Sequence, residues 1–123
     1  MNLKKILTVF SAILIAGATF GAIRATTPKL WAKGKDSWQM DRHNAKMEIV
    51  KAGGAKVVFI GDSITHNWEK VGKEQLNKYF SEGDMKMLNL GTGADHTEHV
   101  LWRIKNGELD GYEAKCIVVM IGT

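Results

Sequence analysis

Residues 56–65 read KVVFIGDSIT. Lys56 to Ile60 are a short run rich in β-branched and aromatic residues, bounded by glycine on both sides. That pattern predicts a strand buried within a parallel sheet. The turn GDSIT follows, and a helical stretch is predicted to about Phe80, with Val71, Leu76, Tyr79 and Phe80 as its apolar positions. Working outward, Met85 to Leu90 (MKMLNL) predict a second strand, and Gly91 to Asp95 a glycine turn. Thr97 to Asn106 predict a helix ended by Gly107, and Lys115 to Ile121 (KCIVVMI) a third strand. Strand, helix, strand, helix, strand at this spacing is a βαβαβ unit, so the sheet should be parallel. Its functional turns should lie at the carboxyl ends of the strands. Three segments sit there: Gly61–Thr65, Gly91–Asp95, and Gly122-Thr123, where the sequence stops. A natural chain rarely stops at the end of a buried strand, so a fragment or an incomplete gene product is expected.

On the amino-terminal side, residues 26–39 (TTPKLWAKGKDSWQ) hold the only proline and two tryptophans set among charges. They predict an extended arm whose indoles pack on the domain. Asp36 or Ser37 can cap a helix over 38–52, with Met40, Met47 and Val50 as one apolar stripe. Gly53-Gly54 should end it. The first 25 residues read differently. Lys4 and Lys5 precede an apolar run, Ile6 to Ile15, and small residues follow. This is the tripartite pattern of a secretory signal peptide, with Ala16-Gly17-Ala18 as one cleavage site and Gly21, Ala22 or Ala25 as later ones. The alternative is an uncleaved anchor, since residues 6–23 carry no charge and are just long enough to span a bilayer. Either way the rest of the chain is expected to be exported, periplasmic or extracellular.

A length of 123 residues allows one domain or less. Hydrophobic residues at 45% and charged residues at 24% exclude disorder throughout, collagen and a disulfide scaffold. Of the 17 Lys and Arg, three fall within the first 25 residues, leaving 14 cations against 13 acids. That balance carries no electrostatic footprint for nucleic acid. Cys116, the only cysteine, sits in an apolar run and is expected to be a small buried hydrophobe.

The turn after the first strand carries the chemistry. Gly61-Asp62-Ser63 puts a hydroxyl at a sharp strand-to-helix turn, where backbone N–H groups can stabilise an anion developing on a substrate. The competing reading makes Ser63 a helix cap, a role that Asp62 could also fill. The wider pattern bears on that choice. KVVFIGDSITHNW, LNLGTGADHTEHVLWRIKNGELDG and KCIVVMIGT, in this order and spacing, resemble the SGNH (GDSL-type) hydrolase family. The resemblance is to the branch of platelet-activating-factor acetylhydrolase catalytic subunits and secreted bacterial esterases, over roughly residues 38–123.

The resemblance implies a three-layer α/β/α fold with a flavodoxin-like parallel sheet, the first strand lying between the second and third. After the leader (1–25) and the arm (26–39), it makes residues 40–123 the N-terminal part of a hydrolase domain, truncated after its third strand. It makes Ser63 the nucleophile and its N–H one oxyanion donor, with Gly61 and Asp62 supporting the turn. The family's second block usually reads G-x-G-G-D. Here it is Gly91-Thr92-Gly93-Ala94-Asp95, so Ala94 takes the place of the second oxyanion donor, flanked by Gly93 and Asp95. If that site needs a positive φ, alanine costs roughly 1–2 kcal/mol there. The third block, G-T-N, matches at Gly122-Thr123, and the sequence stops before the Asn that would be a third donor. The last block, D-x-x-H, has no counterpart here, because no Asp has a His three residues later. The fragment alone is therefore expected to be inactive, with its third strand an exposed edge.

Several features have blander readings. His96 and His99 flank Glu98, but the spacing is not that of H-E-x-x-H, and a polar helix face is expected rather than a metal site. His43 is expected at the surface or against the arm, and His66 is not promoted to base. Trp31, Trp38, Trp68 and Trp102 read as packing anchors. The rival function is a nucleotide- or S-adenosylmethionine-binding domain using the Gly91-Thr92-Gly93 turn. Its third glycine is missing, His96 standing in that place. The reading carried forward is a serine ester hydrolase with no metal or organic cofactor, acting on a small-molecule or polysaccharide ester.

Overall fold

A computed structural model describes residues 25–81 and 85–122. The leader through residue 24, residues 82–84 and Thr123 lie outside the described residues, and with them the predicted cleavage sites before Ala25. Three parallel strands, β1 (Val57–Gly61), β2 (Met87–Asn89) and β3 (Cys116–Met120), form an open sheet in the order β2-β1-β3. Phe59 lies beside Asn89 on one side and Val118 on the other, and Gly61 beside Met120. The first strand is central, as the resemblance implied.

Alternation along the strands separates two apolar layers. Val58, Ile60, Leu88 and Leu90 share one core with Val50 of helix α1 (Trp38–Ala52) and Val100 of helix α4 (Thr97–Arg103). Burying each such side chain stabilises the fold by about 1.5–3 kcal/mol. On the other face Phe59 meets Phe80 edge to face at 5.9 Å. Phe80 ends helix α3 (Lys73–Phe80), which follows the short helix α2 (Ser63–Asn67). Helices thus flank the parallel sheet on both faces.

Helix α1 covers the predicted span. The Ser37 hydroxyl accepts from the Met40 N–H at 3.2 Å, and Gly53, at φ 71°, donates its N–H to the Val50 carbonyl. The predicted helix from the GDSIT turn to Phe80 is instead two helices. A turn over 68–72 separates them, Gly72 caps α3, and Val71 is 85% exposed rather than a packing position. Helix α4 stops at Arg103 and passes into a π turn over Ile104–Glu108, which Gly107 closes at φ 101°.

Two further single-residue expectations fail. His43 is buried, not at the surface. It falls in register with Met40, Met47 and Val50, so the stripe that faces the core carries it inward. Cys116 is exposed. Strand β3 pairs only with β1 among the described residues, and Val118, Val119 and Met120 are between 43% and 61% exposed. No described helix is long and apolar enough to cross a membrane.

Candidate active site

Ser63 is the first residue of α2, directly beyond the carboxyl end of β1, and it is exposed. The turn is held locally. Asp62 is the cap, its Oδ1 accepting from the Ile64 N–H at 2.9 Å. The capping role therefore belongs to Asp62, and the Ser63 hydroxyl is left at the sheet's open end. Gly61 is required by space. A Cβ there would collide with the Met120 carbonyl oxygen and the Thr65 hydroxyl.

The Gly91–Asp95 turn lies beside it at the end of β2. Thr92 donates its N–H to the Gly61 carbonyl at 3.0 Å, so the two turns share one peptide link. Asn89 bridges them as well. Its Nδ2 donates to the Thr65 carbonyl at 2.7 Å, and its Oδ1 accepts from the Gly91 N–H at 2.8 Å. A Cβ at Gly91 would strike the Thr65–His66 backbone. Gly93 donates its N–H to His66 Nδ1 at 3.2 Å, and Asp95 donates to the Thr92 carbonyl at 3.3 Å. Ala94 is the one residue of the turn whose N–H makes no hydrogen bond among the described residues, and it is exposed. It is also their only non-glycine residue in the left-handed region, at φ 61°. Alanine there costs about 1–2 kcal/mol.

Beneath the turns lies a buried ionic cluster. Asp95 accepts from Trp31 Nε1 at 2.7 Å and from Arg103 Nε at 2.9 Å. Arg103, fully buried, also donates to the Leu90 carbonyl at 2.8 Å and pairs with Glu108. Its other arm points at the Gly61 carbonyl, 3.4 Å away. The second Glu108 oxygen lies 2.8 Å from His43 Nδ1. Burial pushes the Asp95 carboxyl up, against the pull of Arg103 and the Trp31 N–H. Buried Asp95 thus anchors Arg103 and the arm's Trp31 beneath the turn.

A second ionic group lies nearer the surface. Arg42 donates Nε to the Gly91 carbonyl at 2.8 Å and grips Glu69 with both terminal nitrogens. Lys46 adds a 2.7 Å contact to the same carboxylate. Burial alone would raise Glu69, but Arg42 and Lys46 outweigh it and hold the carboxyl below its usual range.

His99 and His96 cap α4, with Nδ1 of His99 accepting from the His96 N–H at 3.0 Å. Burial lowers the His99 pKa, and its ring stacks on Trp31 at 5.8 Å. Trp31 is buried, whereas Trp38 and Trp68 are about half exposed, at 51% and 43%. Sequence reasoning missed Asn89, Arg42, Glu69, His43, Arg103 and Glu108. The one available signal was charge inside apolar stretches, as with Arg103 between Leu101-Trp102 and Ile104.

No family model matches the chain. Among curated proteins it is similar to platelet-activating factor acetylhydrolase IB subunit alpha2 of Rattus norvegicus and of Homo sapiens. Each is 41% identical over 91 residues, which is 74% of this chain and 38% of the relative. Subunit alpha1 of Rattus norvegicus is 38% identical over 97 residues, 79% of this chain and 40% of the relative. Its relatives are acetylhydrolase subunits. The chain spans about two fifths of their length. Hydrolase kinship at this coarse level agrees with the resemblance carried by the GDS, GTGAD and IGT blocks.

Proposed function

We propose that this chain carries the nucleophile and two oxyanion donors of a serine ester hydrolase of the SGNH (GDSL) type. One observation carries the reading. An exposed Ser63, relieved of capping by Asp62, stands at the same sheet end as a turn whose only uncommitted N–H is that of exposed Ala94.

In the whole protein the Ser63 Oγ attacks an ester carbonyl carbon and gives its proton to a histidine base. The SGNH resemblance assigns that base to a D-x-x-H block, which has no counterpart in this sequence. The Ser63 and Ala94 N–H groups receive the charge on the carbonyl oxygen. The protonated base then releases the alcohol, and water hydrolyses the acyl-serine by the reverse sequence. The proposed substrate is a short-chain ester of a small molecule or polysaccharide, met outside the cytoplasm. The support for export is the leader pattern, and the support for a short acyl group is the kinship with acetylhydrolases.

For the nucleotide half of the rival reading, a phosphate cradle at Gly91-Thr92-Gly93, the backbone offers little support. A phosphate needs backbone donors, and all three N–H groups bond within the protein, to Asn89, Gly61 and His66.

Treating the whole protein with a fluorophosphonate should label Ser63. Ser63→Ala should abolish labelling and lower p-nitrophenyl acetate turnover by at least about 10⁴-fold. Label on another serine, or turnover unchanged in the variant, overturns the assignment.

A further inference from the structure

His66 lies one helical turn beyond Ser63 on α2 and has no part in the chemistry above. Its surroundings give it one. The Gly93 N–H points at His66 Nδ1 at 3.2 Å. Gly93 and Ala94 are consecutive, so the peptide that carries this N–H is directly followed by the one that carries the free Ala94 N–H. On its other face the imidazole stacks on Trp38, ring centres 6.0 Å apart and planes 29° apart. Trp38 also backs Gly93, where a Cβ would sit 3.1 Å from the indole. The turn thus touches both rings, and two hydrogen bonds set the plane of the peptide before the donor: the Gly93 N–H to His66, and the Asp95 N–H to the Thr92 carbonyl at 3.3 Å.

We propose that His66 is a positioning residue that, as a neutral acceptor at Nδ1, holds the Gly91–Asp95 turn so that the Ala94 N–H faces the developing oxyanion. This rests on the esterase reading. A neutral imidazole accepts at one nitrogen only, so here the proton sits on Nε2. Protonation puts an Nδ1–H against the Gly93 N–H, that bond is lost, and this peptide keeps only the tie from Asp95. The charges around the ring oppose that protonation. Arg42 and Lys46 face it from α1 and Lys70 from the segment after α2, with Glu69 alone favouring the cation. Burial and these cations lower the His66 pKa, burial contributing most. The consequence is an oxyanion turn that stays set at neutral pH and is released in acid.

The test uses the whole protein and two variants. Asn carries an acceptor oxygen at the δ position, close to where Nδ1 sits, and it does not titrate. Leu carries no acceptor. His66→Leu should lower kcat about 10- to 100-fold with KM within about twofold, as for a displaced oxyanion donor. His66→Asn should recover most of that kcat and should lack the His66 contribution to the acid limb of the kcat profile. Independently of turnover, the Gly93 amide resonance should shift with pH below neutrality in the wild type and stay put in His66→Asn. Unchanged kcat in His66→Leu beside Ser63-dependent turnover overturns this proposal and leaves the esterase reading intact. So does His66→Asn as slow as His66→Leu while its thermal melt matches the wild type. A wild-type Gly93 amide that ignores pH overturns it even if no hydrolysis is found. Turnover that survives Ser63→Ala overturns the esterase reading instead.

Discussion

The two turns at the open end of the sheet are built by contrasting means. The Ser63 turn is capped by its own neighbour, with Asn89 and the Thr92 N–H tying it to the second turn. Asp62 caps Ile64, and Gly61 makes room for the backbone of β3. The Ala94 turn has one local tie, from Asn89, and is otherwise held by side chains of other elements: Arg42 from α1, His66 from α2 and Arg103 from α4. A nucleophile needs one exposed atom at a fixed corner, which a local cap can supply. An oxyanion donor is a backbone N–H whose direction depends on successive peptide planes, and an exposed glycine-rich turn does not hold these by itself.

Removing the charge beneath the remote-held turn should cost most. Arg103→Met leaves Asp95 and Glu108 buried without their shared cation, and should lower unfolding stability by about 3–5 kcal/mol in urea. A loss under 1 kcal/mol would mean the cluster does not hold the turns. The local turn should be less sensitive. Asp62→Ala removes one cap and should cost about 1–2 kcal/mol, with the fold otherwise kept by circular dichroism. An equal loss at both sites would erase the contrast between the two turns.

Ala94→Gly should act in the other direction. It relieves the left-handed strain at φ 61° but frees the unfolded chain, for a net gain of about 0.5–1 kcal/mol. Destabilisation would show that the Ala94 methyl packs against something that offsets the strain.

The smallest effect is a pH dependence at Glu69. Its pKa lies below the ordinary glutamate value of 4.5, so folding favours the ionised form. The stability it contributes is full above that ordinary value and is lost as pH falls through the depressed one. Glu69→Gln should flatten the stability profile in that window, the variant being less stable than wild type near neutrality and converging with it in acid. His66, also depressed, acts in the same sense but earlier, its contribution declining once pH drops below about 6.5. An acid arm in Glu69→Gln identical to wild type would place the titrating groups elsewhere.

Much of the frame was legible because it depends on short-range pattern. The apolar runs at 56–60 and 115–121 became β1 and β3 to within a residue, and 38–52 became α1 with its Ser37 cap. The failures share a cause. Val71 fitted a helical stripe, but it falls in the turn between α2 and α3 and points outward. His43 fitted the buried stripe too, yet its polarity suggested the surface. What admits it to the core is Glu108, 65 residues away in sequence and 2.8 Å away in space. Cys116 read as buried from its apolar neighbours, but the exposure of a strand depends on what lies beside it.

By itself, the sequence determined the parallel βαβαβ frame, the place of Ser63 at the end of the first strand, and the alanine in the second turn. Those follow from residue periodicity, turn chemistry and chain order, which act over a few residues. Only the tertiary structure decided that Asp62 and not Ser63 is the cap, and that Ala94 alone in its turn keeps an uncommitted N–H. It alone also brought His66, Asn89, Arg42 and Arg103 to the backbone they hold. The physical reason is that a buried polar group must find a partner, and which partner it finds depends on how distant segments pack.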